Sequence, residues 1–227
     1  MATSLQPVAD GVHLASLAPL SMFNSVVLDG PDGDIVIDSG PAWSGKRLAR
    51  LLRGRDVGRH VVTHAHGDHV GSSAWLCSHT GAPLAMSELE ADDFERGSIA
   101  YHAGLSGRLI VPRMTRQRHR VDQRLTEGDQ VGSFTVLPQP GHSPGLLAFW
   151  RESDRVLIVG DGPTNISNDP TSPRWMKLPA SWHHDPAGAV ESRRHLAELE
   201  PELIVSTHGR PVRGVDRWLD GIRNHAH

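Results

Sequence analysis

The sequence predicts an α/β protein, in which short strands and helices recur along the whole chain. Short apolar segments of strand length recur along the chain, and turn residues or stretches with helical spacing separate them. The two halves of the chain also repeat one pattern, because residues 34–41 and 156–163 are both apolar strands that end in Asp and Gly-Pro. Strands that end in His occur at 61–64 and again at 204–208. Each half would therefore bring polar side chains to the ends of its strands.

The first quarter of the chain predicts antiparallel strands followed by a helix. The strands are expected at residues 12–14, 25–28 and 34–37. Between the last two, the sequence Asp-Gly-Pro-Asp-Gly is typical of a hairpin turn. Pro41 and Ser44 then open a helix. The apolar face of that helix consists of Leu48, Leu51 and Leu52.

The next segment predicts a strand and two helices, and its composition predicts a lid. A strand leads into His64, and a short helix follows at about residues 72–76. Ser87 and Glu90 have the spacing of a capping box, which predicts the start of another helix. Residues from about 86 to 124 are expected to form a lid or insertion over the site, because their second part is rich in Arg and lacks a clean period.

The last third of the chain predicts strands and two helices. Strands are expected at residues 135–137 and 146–150, on either side of His142. Asp185 followed by Pro186 is typical of a helix N-terminus, and this helix should run to about residue 200. A final helix is predicted from its apolar spacing at Val215, Trp218, Leu219 and Ile222.

Length and composition predict one soluble domain spanning residues 1–227, with 38% hydrophobic and 22% charged residues. The net charge of −3 gives no reason to expect a nucleic-acid partner. The single cysteine, Cys77, excludes an internal disulfide and favours a reducing compartment. The N-terminal residues lack the pattern of a secretory signal, and no apolar run is long enough to span a membrane. We therefore expect a cytoplasmic protein that does not bind membranes.

The strongest functional signal is the segment from Thr63 to His69, in which three His and one Asp lie within six positions. So many ligands cannot face one point from a regular helix or strand, but they can if the chain curls after the strand, with Gly67 allowing the bend. Imidazole and carboxylate groups bind zinc and other first-row divalent metals. Because no thiolate takes part, a catalytic metal site is favoured over a structural one.

Four further motifs accompany this segment in a fixed order along the chain. They are Ile-Val-Ile-Asp-Ser-Gly at 35–40, Gly-His-Ser-Pro-Gly at 141–145, an apolar run ending in Gly-Asp-Gly at 160–162, and Ser-Thr-His-Gly at 206–209. Together with His-Ala-His-Gly-Asp-His at 64–69, this set resembles the metallo-β-lactamase superfamily of hydrolases, in particular its glyoxalase II and lactonase branches. The resemblance implies a four-layer αββα sandwich, with two mixed sheets, helices outside and the site along one edge.

The resemblance also implies a ligand set for two divalent metal ions, with Zn2+ expected first and Mn2+ or Fe2+ as alternatives. One metal would be held by His64, His66 and His142, and the second by Asp68, His69 and His208, with Asp161 bridging the two. Asp68 is also the candidate catalytic residue, because it could orient the nucleophile or pass a proton to the leaving group. Asp38, Ser39 and Thr207 are expected to support the ligands through hydrogen bonds.

The function expected from this resemblance is hydrolysis of a small ester, thioester or lactone. A hydroxide that bridges the two metals would attack the substrate carbonyl. The alternative is a mononuclear iron persulfide dioxygenase on the same fold, in which two His and the Asp bind one iron. Relatives of this kind often form homodimers, so a dimer is the assembly to test.

Other residues have weaker functional signals. The candidates for contact with the substrate are Tyr101, Trp182, His183 and His184, because they lie in segments that would border the site. Trp175 and Trp182 could wall an acyl-binding cleft or belong to the core, and the core is preferred. The remaining His residues, among them His13, His60 and His79, are expected at the surface.

Overall fold

The computed structural model describes residues 4–98, 118–167, 172–176 and 179–225 of the 227-residue chain. The first of two large sheets contains seven strands within these ranges, in the order of the sequence. They are β1 (Gln6–Ala9), β2 (Val12–Ser16), β3 (Asn24–Leu28), β4 (Asp34–Ile37), β5 (Val57–Val61), β6 (Leu84–Ser87) and β7 (Gln123–Leu125). The strands from β1 to β4 pair antiparallel, and those from β4 to β7 pair parallel, so the sheet is mixed.

The second large sheet contains six strands of the described chain and is also mixed. They are β8 (Gln130–Val131), β9 (Phe134–Pro138), β10 (Leu147–Arg151), β11 (Val156–Val159), β14 (Leu203–Ser206) and β15 (Val212–Arg213). The order across the sheet is β15-β14-β11-β10-β9-β8, with β11 and β14 as the parallel pair. Two short strands, β12 (Thr164–Asn165) and β13 (Trp175–Met176), pair separately.

Six α-helices lie in the described part of the chain. They are α1 (Gly45–Leu51), α2 (Gly67–Val70), α3 (Ser73–Thr80), α4 (Glu88–Arg96), α5 (Pro186–Ala197) and α6 (Val215–His225). Short 3-10 turns occur at Pro19–Ser21 and Ala180–Trp182. No helix in the described ranges has the length and apolar character that crossing a bilayer requires.

The two sheets pack face to face, and helices cover their outer faces. Both faces of the central strands are therefore buried, and these strands are apolar on both sides. Ile35 and Ile158 face the core between the two sheets, whereas their neighbours Val36 and Leu157 face the outer helices. This alternation follows from the two-residue period of a strand. The leucines of α1 cover the outer face of the first sheet, and Trp218 of α6 covers that of the second. The prediction of an αββα sandwich is confirmed.

The strand ends that carry the predicted ligands meet at one edge of this sandwich. A hydrogen bond from the backbone N–H of Leu147 to the carbonyl of Thr63 joins the two sheets there. Asn24, at the start of β3, adds a second link, because its side-chain amide donates to the carbonyls of Ser206 and Gly209. The end of β5 is therefore tied to the start of β10, and the start of β3 to the end of β14, across the two sheets.

Two predictions differ from the structure. His60 is fully buried rather than at the surface, and its ring bonds the carbonyl of Val36 and the hydroxyl of Ser73. It lies on the face of β5 that helix α3 covers. The helix expected at Ser87 does begin there, with the Ser87 hydroxyl accepting from the N–H of Leu89. The Glu90 carboxylate, however, turns towards the site instead of back to the helix N-terminus.

The predicted lid at 86–124 is described only at its ends. Helix α4 packs Ala91 and Phe94 into the core, and β7 joins the first sheet next to β6. Residues 99–117, between these two elements, lie outside the described residues. The lid therefore stays a prediction, as does the prediction of one domain over residues 1–227.

Candidate metal centre

The ligand segment curls as its residue types suggest. The chain leaves β5 at Val61, bends at Thr63 and Ala65, and enters the single turn of α2 at Gly67. The carbonyl of His66 accepts the first backbone hydrogen bonds of this turn, from His69 and Val70. His64 and His66 thus precede the turn and Asp68 and His69 lie on it, so the four side chains divide into two groups.

The first group consists of His64, His66, His142 and Asp161, and all four side chains are buried. Nε2 of His142 lies 2.6 Å from Oδ2 of Asp161 and 2.8 Å from Nδ1 of His66. Nε2 of His64 is buried and has no hydrogen-bond partner in the described part of the chain. A buried polar nitrogen without a partner is costly, and a metal ion placed among these atoms would satisfy it.

The second group consists of Asp68, His69 and His208. Nδ1 of His69 lies 2.7 Å from Oδ2 of Asp38, and Nδ1 of His208 lies 2.6 Å from the carbonyl oxygen of Met22. These oxygens act as acceptors, so in neutral imidazoles the proton is on Nδ1 and the Nε2 lone pair is free to bind a cation. The two Nε2 atoms are 3.1 Å apart. Their lone pairs repel each other at this distance, and a bound cation would attract both.

Asp161 lies between the two groups. Its Oδ2 faces His142 of the first group, and its Oδ1 lies 3.1 Å from Nε2 of His69 and 3.0 Å from Nε2 of His208. Oδ1 has no partner with hydrogen-bond geometry in the described residues. The backbone carbonyl of Asp161 accepts from Nε2 of Gln139 at 3.1 Å, which fixes the residue at the end of β11.

The electrostatics of the site favour bound positive charge. Burial lowers the pKa of His69, but the carboxylates of Asp38, Asp68 and Asp161 outweigh it, and its pKa is raised well above the ordinary value. Burial also lowers the pKa of His208, but Asp161 and Asp68 outweigh it and raise the pKa to about 10. Burial and then the neighbouring imidazoles His69 and His66 hold the pKa of His64 well below normal, which keeps that ring neutral. Neutral imidazole is the form that binds metal.

The three predicted supporting residues lie beside His69. The Asp38 carboxylate accepts from Nδ1 of His69 and from both the N–H and the hydroxyl of Thr63. The Ser39 hydroxyl donates to the backbone carbonyl of His69, so it holds the main chain rather than the ring. The Thr207 hydroxyl is 3.4 Å from Nδ1 of His69.

Two supporting residues were missed in the sequence. Thr63 lies within the motif, and its hydroxyl contacts Asp38 and, at 3.2 Å, Nδ1 of His64. Glu90 is fully buried, and its carboxylate accepts from the N–H groups of Ala65 and Gly145 at 2.7 and 2.9 Å. It thereby joins the loop of His64 and His66 to the loop of His142. A Glu in a capping-box position gave no signal of this contact.

The candidates for substrate contact are placed differently from one another. His183 is buried, and its Nδ1 lies 3.0 Å from Nδ1 of His142, so its ring contacts a candidate ligand directly. The side chain of His184 is exposed, and its N–H donates to the carbonyl of His142. Trp182 is 48% exposed, and Trp175 is half-buried, so neither is a fully buried core residue. Tyr101 lies outside the described residues.

The two groups together have the donor set of a divalent metal centre. Five imidazoles and two carboxylates converge within a buried space, and nitrogen and oxygen donors of this kind suit zinc, iron and manganese. An ordinary polar cluster would pair its nitrogens with acceptors. Here the partnerless Nε2 of His64 and the paired Nε2 atoms of His69 and His208 fit bound cations instead.

Comparisons with known proteins agree with this geometry. The family model described as the Metallo-beta-lactamase superfamily matches residues 20–208. The probable metallo-hydrolase YflN of Bacillus subtilis is 25% identical, over 91% of this chain and 86% of its own length. The hydroxyacylglutathione hydrolase GloC of Haemophilus influenzae is 27% identical, over 64% of this chain and 69% of its own length. A crystal structure of TTHA1623 in a di-iron-bound form is 27% identical with a TM-score of 0.64, and the match covers 87% of this chain and 92% of that one.

Proposed function

Because this chain belongs to the metallo-beta-lactamase superfamily, we propose that it hydrolyses a small ester, thioester or lactone at a centre of two metal ions. The metal-dependent hydrolase class predicted from the sequence is confirmed by the family and its relatives. The proposal adds the number of metals, the bond that is cleaved and the residues that act.

The position of Asp161 is the observation that carries the proposal. Its two carboxylate oxygens face different ligand groups, with Oδ2 at 2.6 Å from His142 and Oδ1 at 3.0 Å from His208. A carboxylate so placed can bind one metal with each oxygen, which is the arrangement of a dinuclear site. A site for one iron would need only one of these groups, whereas both have three or more candidate ligands.

Two bound divalent ions would supply an activated water and would polarise the carbonyl group of the substrate. Asp68 is the residue placed to move a proton. Its Oδ2 lies 3.4 Å from Nε2 of His208, and its side chain is 26% exposed, so substrate can reach it. Burial raises the pKa of Asp68, but His69 and His208 outweigh burial and hold it below normal. The ionised carboxylate can accept the proton of the attacking water and return it to the leaving oxygen or sulfur atom.

The substrate class rests on the donor set and on similarity. GloC is named as a hydrolase of hydroxyacylglutathione, a thioester, and this supports a carbonyl–sulfur or carbonyl–oxygen bond as the target here. The metal is proposed as zinc, although the di-iron form of TTHA1623 makes iron a necessary comparison.

Elemental analysis of purified protein, followed by a panel of lactones, thioesters and phosphoesters, tests the proposal. We expect two metal ions per chain and turnover of carbonyl substrates. One iron per chain together with oxygen uptake on a persulfide would replace the proposal with the dioxygenase alternative.

A variant tests the bridging role. Asp161→Ala should bind at most one metal per chain and lose most activity, because each group loses an oxygen donor. Asp32→Ala is the matched control, because it removes an exposed carboxylate on the turn before β4. It should bind two metal ions per chain. Full metal content in Asp161→Ala would exclude the bridge.

A further inference from the structure

The metal centre is open on one side. Among the candidate ligand side chains, Asp68 is 26% exposed and His208 is 10% exposed, whereas Asp161, His142 and His69 are 8%, 4% and 1% exposed. His64 is fully buried. Substrate therefore approaches the centre past Asp68 and His208, and the residues beside His208 border its path.

Two aromatic residues continue outward from His208. The ring of Phe23 packs edge-on against the imidazole of His208, with a centroid distance of 5.5 Å. The ring of Trp43 packs edge-on against Phe23 at 6.0 Å and is 62% exposed. We call Phe23 and Trp43 the apolar wall. Leu20, which is 49% exposed, lies on the same loop as Phe23.

The loop that carries Phe23 is bonded to the segment of His208 and Gly209. The N–H of Gly209 donates to the carbonyl of Ser21 at 2.7 Å, and Nδ1 of His208 bonds the carbonyl of Met22. Leu20 and Ser21 have positive φ angles of 57° and 55°. Strained backbone of this kind persists only where surrounding contacts fix it, and it is common at functional sites.

We propose that the apolar wall binds a hydrocarbon portion of the substrate, so that the protein prefers esters, thioesters or lactones with an aliphatic chain over those with charged groups. This inference rests on the proposed function. Single exposed apolar side chains are ordinary, but these are continuous with each other and with a ligand at the open side of the centre. Ligand pockets typically combine such apolar surfaces with a few polar groups at the reacting end.

The size of the effect follows from hydrophobic transfer. Each methylene that the wall removes from water should improve binding about fourfold, until the chain outgrows the wall. A glutathione thioester with a short hydroxyacyl group offers charged groups and little hydrocarbon, so it would gain little from Trp43. The wall thus distinguishes two kinds of thioester that the metal ligands alone would treat alike.

The binding test uses straight-chain hydroxamic acids, from acetohydroxamic to decanohydroxamic acid, titrated calorimetrically into the metal-loaded protein. We expect the Kd to fall about fourfold per added methylene over the first several carbons. Trp43→Ala should reduce this dependence on chain length, and the loss should grow with the length of the ligand. Leu89→Ala is the matched control, since Leu89 is 63% exposed but lies on α4; it should retain the dependence.

The outcomes separate this inference from the proposed function. A Kd that does not change with chain length, or a dependence that survives in both Trp43→Ala and Phe23→Ala, would overturn the role of the wall. Hydrolysis of alkyl esters with no preference for chain length would also overturn the role of the wall, while leaving the proposed function intact. Length-dependent hydroxamate binding without turnover of any ester, thioester or lactone would leave the wall standing and exclude the proposed reaction.

Discussion

Asp38 orients His69 through a bond of 2.7 Å between its Oδ2 and Nδ1 of the imidazole, and both side chains are buried. The other carboxylate oxygen accepts the N–H of Thr63. Asp38 adopts a left-handed backbone conformation with φ of 59°, which Asp and Asn tolerate better than most residues. One residue therefore fixes both the loop after β5 and the ring of His69, a candidate ligand of the second metal.

Asp38→Asn should lower the affinity for the second metal and leave the affinity for the first metal unchanged. Asn keeps the backbone conformation, but its amide places a donor where either Thr63 or His69 needs an acceptor. Loss of such a support typically costs 10–100-fold in metal affinity, and competition with a chelator measures it. Asp32→Asn is the control. Equal affinity for the second metal in Asp38→Asn and the unaltered protein would exclude the orienting role.

His183 should support the first metal in the same manner. If Nε2 of His142 binds metal, its Nδ1 carries the proton and donates to Nδ1 of His183, 3.0 Å away. We expect His183→Ala to lower affinity for the first metal about tenfold. His184→Ala removes the exposed neighbouring ring and keeps the backbone bond to His142. If the two variants bind metal equally well, the ring of His183 has no such role.

Glu90 should stabilise the fold as well as the site. Its carboxylate satisfies two buried N–H groups, on Ala65 and Gly145. Glu90→Ala leaves both without an acceptor and should lower the free energy of unfolding by about 2–5 kcal/mol, measured by urea denaturation in the presence of a chelator. Glu90→Gln retains one acceptor and should lose less. Glu88→Gln, on an exposed position of the same helix, should change little; comparable losses in both Gln variants would contradict the prediction.

Cys77 should be unreactive in the folded protein. Burial, and then Asp122, raises the pKa of its thiol from 9.0 to about 12. A disulfide reagent at pH 8 should therefore react slowly until urea unfolds the chain.

The same shift predicts a pH dependence of stability. The folded state keeps the thiol proton that the unfolded state releases above pH 9.0, so the stability this proton contributes is lost as pH rises from 9.0 through about 12. Comparing the pH dependence of unfolding with that of Cys77→Ala isolates the contribution. Identical dependence in the two proteins would show that the thiol is not shifted.

Several predictions were available from the sequence, because they depend on local patterns. Short apolar runs between turn residues identified β2, β3, β4 and β5 of the first sheet, although not β1, β6 and β7. The spacing of apolar side chains identified α1 and α6, and the Asp-Pro pair identified the start of α5. The order of the His and Asp motifs identified the superfamily. These patterns can be recognised without any knowledge of contacts, since each depends on the order of residues along the chain. The compartment and the homodimer stay predictions.

Other features depended on contacts between distant residues. Glu90 reads as a helix cap in the sequence, yet two loops from different sheets supply its partners. His60 reads as a surface residue, but helix α3 packs over its face of β5, and the ring reaches the hydroxyl of Ser73 there. Phe23 reaches His208 across 185 positions of sequence only because β3 and β14 end at the same edge of the sandwich. The sequence by itself identified the side chains that are candidates to bind metal, and the packing of the two sheets decided how they are held and what surrounds them.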